Sequence, residues 1–321
     1  MNKLEPVVSV IVPTYNSERT IEKCIESLLG QTLPNFDIYV IDDGSTDKTF
    51  TCLKKFDADH RVHIYTQANK GVSSARNNGL KRVRTKYITF VDSDDFVSPT
   101  YLERLVHGIE SRPVEMAICN IPSNFMFLSK NTVLDSGEVM NMLLSPYGMG
   151  GYLWNKIFES KIIRDNDISF NEDFFVAEDL IFCEQYLVHA KKVNLLTTHD
   201  YHYNDLNGVS KNIKFRENNV DFYLNYFNAL KYILSMETNI NNIEKNLKAR
   251  MCDLGCDIVR IINLNKNIEY YNVKKELLNF INQNKGIFFE SSIINDKRKI
   301  LLKLTLYYPI LVEFIDRYKN R

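Results

Sequence analysis

Four polar residues follow directly on an apolar run near residue 90. Asp92, Ser93, Asp94 and Asp95 come after Tyr87–Val91, whose β-branched and aromatic side chains are typical of a buried strand. Like charges crowded at a strand end repel one another unless a cation or hydrogen-bond donors lie among them. Hard oxygen ligands suit Mg²⁺ or Mn²⁺ carrying a diphosphate. The cluster therefore indicates a metal and diphosphate site, with an Asp-rich helix N-cap as the alternative.

Two further acidic pairs have the chemistry to bind or activate a ligand. Asp42 and Asp43 end the apolar run Ile38–Ile41, and Glu178 and Asp179 begin a helical pattern. Carboxylates can accept hydrogen bonds or protons from a ligand. The first pair also fits an Asp-Gly turn. The second also fits first-turn acids favoured by the helix dipole, and from the residues alone that structural reading is the better one.

Alternating strands and helices must position these side chains. Val7–Val12 is a continuous apolar run, typical of a strand buried on both faces. Beyond Ser17, a predicted helix cap, apolar residues recur with helical spacing from Ile21 to Leu29. This order, continued over residues 1–120, predicts an α/β fold with a doubly wound, mostly parallel sheet flanked by helices. Ligands bind beyond the carboxyl ends of strands in such sheets, and both Asp clusters lie at such ends.

The composition excludes some classes of function. The 321 residues carry 40 basic and 40 acidic side chains, so the formal net charge of zero argues against a nucleic-acid binder. The six cysteines are scattered without metal-ligand spacing and are typical of reduced thiols in a cytoplasmic protein. We expect no signal peptide at Met1–Pro6. No apolar run reaches the roughly 18 residues of a membrane span.

Five motifs occur in one order along the chain, and together they resemble those of a family 2 glycosyltransferase with the GT-A fold. The motifs are Val10–Asn16, Asp42–Asp47, Gly71–Gly79, Asp92–Asp95 and Glu178–Leu180. The resemblance covers roughly residues 6–212. It implies a glycosyltransferase domain over residues 1–212, with a nucleotide-sugar part at about 1–120 and an acceptor part at about 121–212. Residues 213–321 are predicted from their pattern to form a helical C-terminal region.

The resemblance assigns residues at the sheet edge to a UDP-sugar donor. Tyr15 would pack on the uracil ring, with a core tyrosine as the alternative. Asp43 would accept a hydrogen bond from the uracil imide N–H. Arg76 would serve the nucleotide or the diphosphate, with a solvated surface arginine as the alternative. The donor-binding set is Pro13, Tyr15, Asp43, Arg76, Asp92 and Ser93.

The resemblance also assigns the metal ligand and the proton acceptor. Asp94 would ligate Mn²⁺ or Mg²⁺, and Asp95 would be a structural neighbour. His199 or His202 would be a third metal ligand or a phosphate contact, with a purely structural histidine as the favoured alternative. Asp179 would be the general base of an inverting transfer, because one carboxylate suffices when the nucleoside diphosphate leaves with the metal.

Trp154 and Glu178 are assigned to the acceptor. Trp154 is the single tryptophan, and a tryptophan beside a sugar site commonly stacks on a pyranose face, although a core position is the alternative. Glu178 would orient the acceptor. Asn204 departs from the family pattern because it replaces the arginine of a late Tyr-x-Tyr-Arg motif. Any phosphate contact of that arginine is therefore in doubt.

The implied reaction is an inverting, metal-dependent, non-processive transfer from a UDP-sugar to a hydroxyl group. The acceptor would be a bacterial surface glycan, a lipid-linked sugar or a glycoprotein. A sugar-phosphate nucleotidyltransferase is one alternative, but it would need a Gly-rich phosphate loop where the chain has Pro13–Asn16. A catalytically silent glycan-binding module is another, and the presence of Asp94 and Asp179 argues against it.

The C-terminal segment Lys297–Arg321 combines basic residues with an aliphatic and aromatic stripe. It could rest on an anionic membrane as a basic amphipathic element, which would place a cytoplasmic protein peripherally at the inner face. A packing role or a homodimer contact is the alternative. That alternative is slightly favoured, because such stripes usually belong to a core.

Overall fold

The computed structural model describes residues 5–120, 130–145, 150–204, 219–236, 243–266 and 268–319. The chain divides into two units. The sheet unit comprises Met1–Val139 with Gly151–Lys211, and the helical unit comprises Met140–Gly150 with Asn212–Arg321.

The described strands lie in the sheet unit. They are β1 Val8–Thr14, β2 Phe36–Asp42, β3 Val62–Thr66, β4 Tyr87–Phe90, β5 Phe96–Val97, β6 Met116–Ile118, β7 Thr132–Asp135, β8 Lys156–Glu159, β9 Lys192–Leu195 and β10 Tyr201–His202. The helices of this unit are α1 Ile21–Leu29, α2 Thr49–Leu53, α3 Val72–Leu80, α4 Tyr101–Glu110, α6 Ser160–Asp165 and α7 Glu178–His189, and α5 Ser136–Leu144 crosses the division between the units.

Eight strands form one sheet in the order β3-β2-β1-β4-β8-β6-β9-β7. The parallel pairs are β1 with β2, β1 with β4, β2 with β3, and β6 with β9, whereas β8 and β7 run antiparallel to their neighbours. The apolar, β-branched sequence of β1 suits its central position, since every residue of the strand is buried. The doubly wound, mostly parallel sheet predicted from the sequence is confirmed.

The strand register brings the acidic residues to one edge of the sheet. Thr14 pairs with Asp42 on the neighbouring strand, and the next amide, that of Asp43, donates to the Thr14 carbonyl oxygen at 2.8 Å. Ile11 pairs with Phe90 on the other side, and Asp92 follows two residues later. The carboxyl ends of three adjacent parallel strands therefore carry the chemistry-bearing loops.

The predicted cap at Ser17 is wrong. Helix α1 begins at Ile21, and the backbone carbonyl oxygen of Ser17, rather than its side chain, accepts hydrogen bonds from the amides of Thr20 and Ile21. The Ser17 hydroxyl instead lies 2.8 Å from the hydroxyl of Ser93. An extra turn between β1 and α1 thus brings a side chain of the first loop to the acidic loop after β4.

The helical unit is built from α8 Val220–Ser235, α9 Ile243–Asn265, α10 Tyr271–Glu290, α11 Asp296–Tyr307 and α12 Pro309–Lys319. Buried apolar residues of α9, α10 and α11 form its core, and Cys252 and Cys256 lie in it as free thiols. Within the described ranges, no helix is long and apolar enough to cross a membrane.

Glu184 of α7 is fully buried in the sheet unit. Neither of its carboxylate oxygens has a hydrogen-bond partner among the described residues. Burial raises the pKa of this carboxyl well above its usual range, because a charge is costly to desolvate. The folded protein therefore keeps Glu184 protonated at a pH where the unfolded chain releases the proton, and stability falls as pH rises above the ordinary glutamate pKa of about 4.3.

We expect Glu184→Gln to remove this pH-dependent loss of stability. The variant should be close to wild type in free energy of unfolding at pH 4, and its advantage should grow toward pH 8. The gain is limited to about 1.4 kcal/mol for each pH unit over which only the unfolded chain is ionised. Urea unfolding at both pH values measures it, with the exposed Glu26→Gln as the control. An equal difference at the two pH values would contradict the assignment of a protonated Glu184.

Candidate active site

A buried arginine joins three of the predicted site residues. Arg76 of α3 is 4% exposed, and its Nη1 lies 3.0 Å from Glu178 Oε1 and 2.8 Å from Asp179 Oδ1. Its Nη2 lies 3.3 Å from Asp92 Oδ1. The alternative of a solvated surface arginine is therefore wrong. The loop after β4 and the first turn of α7 meet at this guanidinium, which we call the Arg76 cluster together with Asp92, Glu178 and Asp179.

The charges of the Arg76 cluster do not balance, since one cation faces three carboxyl groups. Burial raises the pKa of Asp179, and the neighbouring Glu178 raises it further, whereas Arg76 and Lys156 lower it. Burial likewise raises the pKa of Asp92. A carboxyl shifted upward in this way becomes a better proton acceptor near neutral pH, because the effectiveness of a general base increases as its pKa approaches the working pH.

The first turn of α7 is fixed by close contacts. Ala177, immediately before it, has a left-handed backbone with φ of 63°, which is uncommon for a residue other than glycine. Gly151 packs directly on the turn, and a Cβ at that position would lie 2.5 Å from Leu180 Cα. A glycine is therefore required there. The backbone of residue 151 is thus held within van der Waals reach of the residue next to Asp179.

The loop after β4 is held from the other side by Tyr201. Its hydroxyl donates to Asp95 Oδ2 at 2.6 Å and accepts from the Asp92 amide at 3.2 Å. Asp95 Oδ1 accepts from the Asn204 amide at 2.7 Å. The pairing of β10 with β5 aligns these groups. Asp95 is buried and supports the fold of the loop, as the sequence predicts, and burial raises its pKa to about 7.

Asp94 is the carboxylate of this loop that remains available to a cation. It is half-buried and has no hydrogen bond or ion pair with another side chain in the described part of the chain. Burial raises its pKa, and repulsion by Asp92 adds to the shift. Among the described residues, no three His, Cys, Asp or Glu side chains come together there as a metal group. Two carboxylates nevertheless fit Mg²⁺ or Mn²⁺ when substrate phosphates and water supply the remaining ligands.

Neither predicted third ligand joins Asp94 in such a group. A ring nitrogen of His199 lies 3.2 Å from Asn120 Nδ2, and one of His202 lies 2.8 Å from Ser98 Oγ. The His202 ring also stacks on Phe96, with ring centroids 4.7 Å apart. These contacts hold both imidazoles within the fold.

The loop after β1 and the Asp42–Asp43 pair lie at the same sheet edge. Tyr15 is half-exposed, so the core-tyrosine alternative is wrong. Pro13 is buried within β1. Asp42 Oδ1 accepts from the amide and hydroxyl of Ser45 at 3.1 and 2.5 Å, which is the predicted turn. Asp43 is buried and accepts from the Gln67 side chain and from the amides of Lys70 and Gly71 at 2.8, 3.0 and 2.7 Å.

Trp154 does not offer a ring face to an acceptor. It is 6% exposed, and its ring stacks on Tyr201 with centroids 4.3 Å apart and on Tyr152 at 5.3 Å. The predicted acceptor contact is therefore wrong and the core alternative holds, because the hydrogen bonds of Tyr201 fix its ring against the indole.

Comparison with known proteins identifies the family of part of the chain. Residues 9–164 match the family described as Glycosyl transferase family 2. The matched segment is a family 2 glycosyltransferase domain. The match ends before Glu178, so the carboxylates of α7 lie beyond the matched segment.

Several bacterial proteins resemble the glycosyltransferase domain in sequence. An uncharacterized glycosyltransferase, EpsJ of Bacillus subtilis, is 33% identical over 214 residues, which are 62% of this chain and 61% of that protein. The poly(ribitol-phosphate) beta-glucosyltransferase of Bacillus spizizenii is 28% identical over 61% of this chain and 32% of its own length. The match thus spans less than two thirds of these relatives.

A solved structure shares the fold of this chain. The crystal structure of S. aureus TarS 1–349 in complex with UDP-GlcNAc has a TM-score of 0.67 and 23% identity, covering 97% of this chain and 89% of that one. The GT-A fold predicted from the sequence is confirmed.

Lys156 is a residue of the glycosyltransferase domain to which the sequence gave no role. It is fully buried on β8, and its Nζ donates to the Tyr152 carbonyl oxygen and, at 2.9 Å, to Asn155 Oδ1. Burial lowers its pKa. The position of this lysine within a strand could have indicated a special role, since lysine is almost never fully buried without partners.

Proposed function

We propose that this domain transfers a sugar from a UDP-sugar to an acceptor hydroxyl with inversion at the anomeric carbon. The Arg76 cluster carries the proposal, because it joins a donor-side carboxylate, Asp92, to a carboxylate suited to activate an acceptor, Asp179. Both lie at the carboxyl edge of a GT-A sheet. The crystallised TarS complex contains UDP-GlcNAc, which supports a UDP-sugar as the donor class.

Asp179 is the group that would remove the acceptor proton. Its Oδ1 accepts a hydrogen bond from Arg76, which positions the carboxyl toward an incoming hydroxyl. As the hydroxyl oxygen bonds to the anomeric carbon, its proton passes to Asp179 and the bond to the diphosphate breaks. Arg76 holds the carboxylate in place and limits the rise in its pKa. Glu178, on the same guanidinium, would orient the acceptor.

Asp94, with Asp92 beside it, would hold Mn²⁺ or Mg²⁺. When bound, a divalent cation neutralises the charge that develops on the departing diphosphate. The carboxylates of this chain supply the protein side of that site, and Ser93 is fixed beside them through Ser17.

The uracil would lie at the loop after β1. Tyr15 offers a half-exposed ring for stacking. Asp43 uses three hydrogen bonds to hold Gln67, Lys70 and Gly71, and a carboxylate has about four acceptor positions. One position therefore remains for the imide N–H of uracil. Pro13 lies within the buried strand β1, which ends at Thr14 just before Tyr15.

The acceptor class is proposed from the relatives. They include an enzyme named for transfer to poly(ribitol-phosphate), so a surface glycan, with a lipid-linked sugar or a glycoprotein as related forms, suits a domain of this family. One sugar would be added per encounter, at the cytoplasmic side.

A donor panel with and without Mn²⁺ tests the function. We expect UDP release from one UDP-sugar, stimulated by an acceptor extract and abolished by EDTA. A nucleotidyltransferase would instead release pyrophosphate from UTP and a sugar 1-phosphate, and a silent binding module would release nothing. Either of those results would overturn the proposal.

The C-terminal helix α12 supports peripheral membrane contact. Its apolar residues Ile310 and Phe314 are 83% and 70% exposed, and Tyr307 and Tyr318 are also exposed. An exposed apolar face with interfacial tyrosines fits the boundary of a bilayer. Arg298 is one of the basic residues of Lys297–Arg321 that would face an anionic membrane. In the structure it instead forms ion pairs with Asp253 and Asp257.

We expect the Ile310→Ser and Phe314→Ser double variant to lose binding to phosphatidylglycerol vesicles and to keep UDP binding. Wild-type binding should weaken as salt rises, since attraction to anionic lipid is screened. Co-sedimentation at low and high salt measures both effects. Ile268→Ser is the control, because this residue of the same unit is equally exposed but lies outside α12. If the intact chain does not bind vesicles, membrane contact is excluded and a dimer contact remains as the interpretation of the exposed face of α12.

A further inference from the structure

The aromatic residues around Trp154 form a continuous stack that reaches the surface. Tyr201 and Trp154 are buried, whereas Tyr152 and Tyr203 are 48% and 39% exposed. The Trp154 ring centroid lies 4.3 Å from that of Tyr201, 5.3 Å from that of Tyr152 and 6.3 Å from that of Tyr203. The interplanar angles of 24° and 26° keep both exposed rings nearly parallel to the indole.

Both ends of this stack are tied to the catalytic groups. Tyr201 accepts a hydrogen bond from the Asp92 amide. Tyr152 directly follows Gly151, which packs on Leu180 next to Asp179. The stack is therefore joined to the loop that carries Asp92 and, through the Gly151 backbone, to the first turn of α7.

The backbone of Tyr152 is fixed by hydrogen bonds from buried side chains. Its carbonyl oxygen accepts from the buried ammonium of Lys156, and the preceding carbonyl oxygen, that of Gly151, accepts from Cys183 Sγ at 3.3 Å. Burying the charge of a lysine is costly unless its N–H groups find acceptors. The Lys156 ammonium therefore binds the carbonyl oxygen of Tyr152 and so fixes the backbone turn at that residue. A rigid aromatic ring loses little conformational entropy when a ligand stacks on it.

We propose that Tyr152 is the platform on which a pyranose ring of the acceptor stacks. The proposal rests on the proposed function for the identity of that sugar as an acceptor. The C–H face of a pyranose is apolar and its rim carries hydroxyl groups. It can therefore lie flat on the tyrosine ring while a hydroxyl points to Asp179. The buried Trp154 supports the platform from below and does not touch the sugar.

Fluorescence of the single tryptophan gives a binding readout that needs no turnover. The probes are the methyl β-glycosides of glucose, galactose and N-acetylglucosamine, together with cellobiose and chitobiose, added to protein saturated with UDP and Mn²⁺. We expect at least one to change Trp154 emission saturably. Tyr152→Ala should weaken that binding about tenfold, and Tyr152→Phe should retain it because the ring remains. Tyr271→Ala, an exposed tyrosine of the helical unit, is the control.

Kinetics with an active acceptor separate stacking from a structural role. Tyr152→Ala should raise the acceptor KM about tenfold, whereas Tyr152→Phe should keep the wild-type KM because the ring remains. No saccharide binding by wild type, or an unchanged acceptor KM in Tyr152→Ala, would overturn the platform. The proposed function would survive that result if UDP release persisted. Conversely, saccharide binding at Tyr152 without any UDP release would support the platform and contradict the proposed transfer reaction.

Discussion

Replacing Asp179 by Asn should lower turnover about 10²–10⁴-fold, the usual cost of losing a general base. UDP binding should stay nearly unchanged, because the substitution keeps the shape of the side chain that contacts Arg76 and leaves Asp92 and Asp94 intact. Calorimetric titration with UDP and single-turnover transfer measure the two quantities separately. Asp165→Asn, an exposed site of the same unit, is the control. Turnover within a few-fold of wild type would show that another group takes the proton.

The pH profile provides an independent check on Asp179. A base works only when it is ionised, and burial raises the pKa of this carboxyl. Wild-type kcat/KM should therefore fall as pH drops toward the acid side of neutrality, well above the ordinary aspartate pKa of about 3.9. The Asn variant should lack this acid limb. Inversion is tested by the anomeric configuration of the product, and a retained configuration would exclude single displacement.

Asp94→Ala should abolish transfer and weaken UDP binding mainly when Mn²⁺ is present. Asp94 has no protein partner to lose within the described chain, so little stability should be lost, whereas the cation would lose a ligand and the diphosphate its counter-charge. UDP titrations with Mn²⁺ and with EDTA show the difference. Asp57→Ala, at an exposed position, should behave as wild type. Normal Mn²⁺-dependent turnover in Asp94→Ala would show that Asp94 is not the metal ligand.

The sequence predicted the parts of the fold that depend on local pattern. The apolar run of β1 and the helical spacing of α1 identified the elements, and their alternation predicted the parallel sheet. The acidic residues at the strand ends were then placed correctly at one edge, because the carboxyl ends of parallel strands must meet there.

What the sequence missed depends on contacts between distant residues. The partners of Arg76 lie 102 and 103 residues further along the chain, and Tyr201 lies 106 residues from Asp95. The spacing of apolar residues along a helix or strand carries no information about contacts between residues so far apart in the sequence. The same limit explains Trp154, whose burial depends on where Tyr201 lies, and Ser17, whose hydroxyl contacts Ser93 rather than capping the helix that follows it.

The long span of the Arg76 contacts also bears on how the protein is made. During synthesis the strands up to β4 emerge first, and Arg76 then has only Asp92 to pair with. Until Glu178 and Asp179 leave the ribosome, closing the fold around the guanidinium would bury a charge with most of its partners missing. We therefore expect the nascent domain to stay open and protease-sensitive past residue 164, where the family match ends, and to close only when α7 arrives. Active-site assembly and completion of folding would then be the same event, so an incomplete chain would not present a half-built catalytic centre to the cell.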